Sequence, residues 1–136
     1  MSERIQKGDL AEYAVIKFLL NKNYKIAKPI GSDWRYDLLL FRNEKFERLQ
    51  IKWCCSNSER IIISGRSTSY SSKILYTKKD IDWLVGYDIR TDKCYFVPAS
   101  LLGENGCSGI HLRFTIPKYE YQKQKFLLLA KDFENV

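Results

Sequence analysis

A chain of 136 residues is the length of one ordinary domain, and an apolar content of 45% excludes a disordered polymer. A core can form at this size without disulfides or a structural metal. The net charge of +7, from 23 Lys and Arg against 16 Asp and Glu, favours a polyanionic partner: DNA, RNA or an acidic membrane surface.

The N-terminus, Met1-Ser2-Glu3-Arg4, does not open like a secretory signal, and apolar runs such as Phe126–Ala130 are too short to span a bilayer. A soluble cytoplasmic protein, with no membrane partner, is the expectation. The four cysteines, at 54, 55, 94 and 107, do not form the C-x-x-C pairs of a zinc site. Reduced thiols are the simpler reading, with a Cys107/His111 metal site as the alternative.

In chain order, Leu10, Ala11, Ala14, Val15, Phe18 and Leu19 give helical apolar spacing from about Lys7 to Asn21. A strand follows from Tyr24 to Lys28, ending at Pro29-Ile30-Gly31. Tyr36–Phe41 reads as a buried strand, Arg42-Asn43-Glu44-Lys45 as a hairpin turn, and Phe46–Trp53 as its partner. In that partner Leu49, Ile51 and Trp53 share one face, and Arg48, Gln50 and Lys52 the other. Ile61–Ile63 is a further strand, and Ser64–Ser72 a Ser-rich loop. Lys78–Asp82 reads as a helical turn, Trp83–Ile89 and Cys94–Pro98 as a second hairpin, and Ser100 as the cap of a short turn. His111–Ile116 is a strand and Tyr119–Asp132 a final helix. One helix, a run of mostly antiparallel strands and helical closure make an α+β fold, with a central mixed β-sheet flanked by helices.

Three places break these patterns. Glu12 lies on the apolar stripe with Val15, Ile16 and Leu19, where a carboxylate needs a cation or strong donors. A boundary glutamate reaching solvent past Ala11 is the plain alternative. Asp37 opens an apolar strand that disfavours aspartate, although a turn residue would look the same. Gln50 and Lys52 share a polar strand face, which is ordinary on a solvated sheet.

Combined, the three say more. A tight hairpin can bring Asp37 alongside Gln50. A hard cation such as Mg²⁺, with Mn²⁺ as a substitute, takes oxygen ligands, and Asp37, the Gln50 amide and the Ile51 carbonyl can supply them, with Glu12 as a further carboxylate. Such an ion polarises a phosphodiester, and Lys52 can orient water or offset transition-state charge.

The chain resembles PD-(D/E)XK nucleases, and within them the Q-x-K subgroup that includes a cyanobacterial group I intron homing endonuclease. Lys7-Gly8-Asp9-Leu10-Ala11-Glu12, Tyr36-Asp37-Leu38-Leu39 and Leu49-Gln50-Ile51-Lys52 carry the resemblance. Tyr76, Asp80-Ile81-Asp82-Trp83-Leu84 and Tyr95-Phe96-Val97-Pro98 extend it to about Arg113. It departs at Tyr36, in place of proline, and at Gln50, in place of an acid. The resemblance implies a single restriction-endonuclease-like domain over 1–136 with Glu12, Asp37, Gln50 and Lys52 as the catalytic set. It implies site-specific cleavage of double-stranded DNA of the homing or mobile-element kind; one site makes one nick, so a double-strand break calls for a homodimer or homotetramer. A junction resolvase of the same fold, or a DNA-binding module with weak catalysis, are the rivals; nothing resembles an RNA-binding motif.

For DNA contacts, Arg60 to Lys79 holds Arg60, Arg66, Lys73, Lys78 and Lys79 and no acid, with Ser69 and Tyr70 adding a hydroxyl and a ring. That composition suits phosphate contacts from a loop ordering on DNA, or a plain solvated loop. Arg113 and Lys118, with Lys123 and Lys125, form a second basic stretch that suits the duplex or a subunit contact.

Overall fold

The structure, a computed structural model, describes residues 3–67, 74–116 and 127–136. It opens with helix α1 (Glu3–Asn21), whose Ala11, Val15 and Leu19 recur every four residues and are fully buried. The helix stops in a Schellman motif. Asn23 takes φ 64°, its N–H donates to the Leu20 carbonyl, and the Tyr24 N–H donates to the Leu19 carbonyl. Asparagine tolerates that left-handed position better than most side chains.

Among the described residues seven strands follow: β1 (Lys25–Ala27), β2 (Leu38–Arg42), β3 (Lys45–Cys54), β4 (Arg60–Ser64), β5 (Trp83–Asp88), β6 (Lys93–Pro98) and β7 (Gly109–Arg113). Five make the main sheet, in the order β1-β2-β3-β5-β6, with β3 and β5 parallel and the other pairs antiparallel. This is the mixed sheet of an α+β fold. The β2–β3 turn is a two-residue hairpin with Asn43 at φ 53° and Glu44 at φ 62°, the type I′ geometry that matches strand twist.

The two faces of the sheet are covered differently. On one, Leu38, Leu40, Leu49, Ile51, Val85 and Phe96 pack against α1. On the other, β4 and β7 pair as a two-stranded antiparallel layer whose Ile61, Ile63, Ile110 and Leu112 meet Cys54, Leu84, Tyr95 and Val97. Among the described residues one α-helix flanks the sheet, and the opposite flank is β. The close approach of β4 depends on Gly86: a Cβ there would lie 2.7 Å from the Ile63 side chain. Gly86→Ala overpacks this contact, a change that costs about 1–3 kcal/mol.

Asp88 is fully buried at the end of β5. Desolvation pushes its pKa up, but donors from Ser56, Thr91 and Arg90 outweigh that and hold it below the ordinary carboxylate value. The cluster fastens the end of β3 to the β5–β6 turn.

Two expected helices are absent in the form anticipated. Residues 78–80 make a hydrogen-bonded turn closed on Thr77, not a helix. The final helix falls partly outside the described residues, at 119–126. Its described part is extended, because Leu128 accepts the Arg113 N–H at 2.8 Å and Leu129 bridges Arg113 in parallel; a 3-10 turn, Ala130–Phe133, follows. A second 3-10 turn at Ala99–Leu102 is the short turn expected around Ser100. The strand expected over His111–Ile116 begins at Gly109 and ends at Arg113, where the Phe114 N–H leaves to the Glu59 carbonyl.

Candidate active site

The site is built where β2 leaves β3. The two strands pair rung by rung from Arg42↔Lys45 to Leu38↔Leu49. One residue further, the Asp37 N–H still reaches the Leu49 carbonyl at 2.8 Å. Beyond that β2 is gone, and the Asp37 carboxylate takes its place as acceptor, receiving the Ile51 N–H at 2.9 Å. A strand residue projects its N–H and C=O to the same side, so the Ile51 carbonyl faces the same vacated edge. Continuing the ladder by one rung sets Asp37 beside Gln50.

Glu12 approaches from α1. Its side chain is 16% exposed and forms an ion pair with Lys28, just past β1. The Glu12 Oε1 is closed to solvent and meets the ammonium as a charge contact; among the described residues no directed hydrogen bond reaches it. The pairing holds the Lys28 pKa above its ordinary value.

Gln50 and Lys52 are half-buried and point to the face opposite Leu49 and Ile51, toward the β4–β7 layer. That face is therefore not an open, solvated one. The Lys52 ammonium donates to the Arg66 carbonyl at 2.8 Å and lies 5.3 Å from the centre of the Tyr76 ring.

The field at Asp37 joins these groups. Burial is the largest influence and raises its pKa. The Ile51 N–H lowers it, the Glu12 charge raises it, and Lys52 and Lys28 lower it; the net result is a raised value. The structure thus brings together Glu12, Asp37, Ile51 and Lys52, with Gln50 placed by register.

Three neighbours escaped the sequence reading as parts of the site. Lys28 showed no signal beyond its charge. Arg35, two residues before Asp37, pairs with Asp80 at 3.2 Å and stacks on Tyr76 with 4.7 Å to the ring centre. Tyr76 is buried between Arg35 and Lys52. Its place in the family resemblance was the only hint.

The donor set suits a hard divalent cation. It offers two carboxylates, one amide and one peptide carbonyl, all oxygen donors. Among the described residues no three His, Cys, Asp or Glu side chains gather into a metal cage, so any ion here leans on the neutral oxygens too. The Asp37 pKa raised by burial indicates a carboxylate short of positive charge, whereas Glu12 already meets one cation in Lys28.

The basic residues divide. Arg60 and Arg113 are cross-strand neighbours on the β4–β7 layer. Lys78 and Lys79 are exposed on the turn whose carbonyls Arg48 grips at 3.1 and 2.7 Å. Arg66 is exposed and pairs with Leu75 at the base of the Ser-rich loop, where the Ser67 N–H also meets the Ile74 carbonyl at 2.8 Å. Ser69, Tyr70, Lys73 and Lys118 lie outside the described residues.

An α+β core with a carboxylate at a strand fork, a lysine on the neighbouring strand and a glutamate on the first helix defines a restriction-endonuclease-like domain. The family model for the PD-(D/E)XK endonuclease matches residues 2–136, and the chain belongs to that family. Among solved structures it is similar to a bacterial homing endonuclease, I-Ssp6803I, with a TM-score of 0.66 and 24% identity over 88% of this chain and 82% of that one. No curated protein matches the sequence significantly. Among the described residues no helix is long and apolar enough to cross a membrane.

Proposed function

We propose that this endonuclease hydrolyses phosphodiester bonds of double-stranded DNA with a divalent cation, at defined sites of the homing or mobile-element kind. The observation that carries the reading is the Asp37 carboxylate, set at the β2–β3 fork within the field of Glu12 and Lys52.

Asp37, Gln50, the Ile51 carbonyl and Glu12 would hold the ion. The chemistry supplied by a bound Mg²⁺, or Mn²⁺ in its place, is Lewis acidity at the scissile phosphate and a more acidic water. The protein's own share is positioning and charge. Asp37, braced by the Ile51 N–H, has little freedom to turn away. Lys52 is held by Tyr76 and the Arg66 carbonyl, and its ammonium can orient the attacking water and meet the charge that grows on the phosphate oxygens. Arg60, Arg66, Lys78, Lys79 and Arg113 would take backbone phosphates. Ser69, Tyr70, Lys73 and Lys118 belong to the same proposed DNA surface on sequence grounds. One site cuts one strand, so a double-strand break calls for two copies, as a dimer or a tetramer of paired dimers.

The test is incubation of the purified chain with supercoiled plasmid in Mg²⁺ or in EDTA, beside Asp37→Ala and Lys52→Ala. Cleavage in Mg²⁺ alone, lost in both variants with folding intact, is the expected result. Full activity in both variants removes the site assignment. A strong preference for four-way junctions over linear duplex would replace site-specific cutting with junction resolution.

A further inference from the structure

The segment from Lys28 to Tyr36 joins β1 to β2 and delivers the chain to Asp37. Its composition is unusual for a surface loop. Ile30 is 94% exposed and Trp34 is 52% exposed, side chains that folding normally hides. Yet the loop is built and braced. The Trp34 indole N–H donates to the Ile30 carbonyl at 2.8 Å, and its ring lies 5.6 Å from that of Tyr36. Gly31 takes φ 100°, which a branched side chain would resist, so the tip turns where it does because glycine is there. At the far end Arg35 is tied to Asp80 and Tyr76. Two large apolar groups are therefore held out on a braced loop that ends one residue before the proposed metal ligand.

We propose that this loop enters the minor groove of the duplex being cut, with Ile30 as the leading wedge and Trp34 against the sugar wall beside it. The proposal rests on the DNA endonuclease reading above. Reach supports it: Ile30 precedes Asp37 by seven residues, a span of at most ~25 Å, so a phosphate at Asp37 puts the adjoining groove within range. Shape supports it too. A minor groove about 6 Å wide does not take a helix or a β-ribbon but does take a loop tip, and apolar wedges such as isoleucine open base steps from that side. The loop's cations are engaged within the protein, Lys28 with Glu12 and Arg35 with Asp80, so the contact proposed here is an apolar wedge and not a charge clamp. The loop leads directly into Asp37, where a scissile phosphate is proposed to sit, which favours nucleic acid as the occupant.

The test uses a fluorescein-labelled duplex with a central A·T block, bound in Ca²⁺ so that cutting does not interfere. Ile30→Ser alters a side chain with almost no packing, so folding is unaffected; Trp34→Ala is the second variant. Each is expected to weaken duplex binding about tenfold, while Leu20→Ser, 53% exposed on α1, leaves it unchanged. Distamycin, a minor-groove ligand, is expected to compete with the wild-type chain. Wild-type affinity in both loop variants, or indifference to distamycin, overturns the proposal. So does an Ile30→Ser chain that falls apart in sedimentation yet binds DNA normally per subunit, since the tip would then hold a second copy. A wild-type chain that neither binds duplex nor nicks plasmid sinks the endonuclease reading itself; loss confined to the loop variants with plasmid nicking retained supports the loop proposal.

Discussion

Asp37 is a residue that works against the protein that holds it. Burial lifts its pKa above the ordinary 3.8, and the donors and cations around it do not pull it back. For a raised carboxylate the favourable contribution to folding is fully present below the unfolded-state value and is lost as pH rises through the folded value. Above that value the fold therefore carries an under-compensated charge. Asp37→Asn keeps an oxygen to accept the Ile51 N–H and removes the charge. It is expected to abolish metal-dependent cleavage and to stabilise the metal-free protein at pH 7 by roughly 1 kcal/mol, the familiar exchange between stability and activity. Thermal unfolding in EDTA checks this, and a lower melting temperature for the variant than for the wild type would contradict it. The same sign makes divalent-ion affinity fall as pH drops through the raised Asp37 value, readable by calorimetric titration with Mn²⁺ at several pH values. Removing the ion with EDTA should leave the fold intact, since the cores on both faces of the sheet are built from apolar side chains and not from the proposed ligand oxygens.

At the scale of elements, the β2–β3 hairpin shows what local sequence can specify and where it compromises. Alternation along Phe46–Trp53 and the four residues Arg42–Lys45 were enough to place the turn and register. The turn needs φ above zero at both central positions, and Asn43 supplies it easily while Glu44 does not. Glu44→Gly is expected to raise stability by about 0.5–1 kcal/mol without changing cleavage, as measured by urea unfolding. Unchanged or reduced stability would mean that Glu44 has a compensating interaction. Other features were illegible for a physical reason, although the strands themselves were read. β4 and β7 are distant in sequence, and nothing in either segment marks the other as its partner. The run Phe126–Ala130 has apolar spacing that suits a helix, but Arg113 at the end of β7 offers Leu128 a strand bond instead. Tertiary pairing overrode local preference there. At the site the same division holds. Glu12, Asp37 and the Gln50–Lys52 pair each break a pattern and could be read. Lys28 and Arg35 break none, because their meaning depends on where β1 and the 77–82 turn bring the chain back.

At the scale of the whole molecule, the charge of +7 acquires a direction. Helix α1 covers one face of the sheet, whereas Arg60 and Arg113 sit on the β4–β7 layer of the other, the side to which Lys52 points. Arg48, also on that side, holds the turn that carries Lys78 and Lys79. A duplex lying across this layer would meet the cations and the fork at Asp37 together. Each phosphate neutralised by a lysine or arginine releases condensed counterions, so the salt dependence of binding reports how many phosphates the protein engages. Arg60→Ala and Arg113→Ala are each expected to weaken duplex binding and to reduce the slope of log K against log salt by about 0.9 for each phosphate no longer neutralised. Lys17→Ala, exposed on α1 across the sheet, should change neither. Equal effects from all three substitutions would mean that the charge acts only as a diffuse field, with DNA held in no fixed orientation across the β4–β7 layer. A slope that changes for Arg60 and Arg113 alone would fix which face of the sheet meets the duplex, and with it the direction from which a phosphate reaches Asp37.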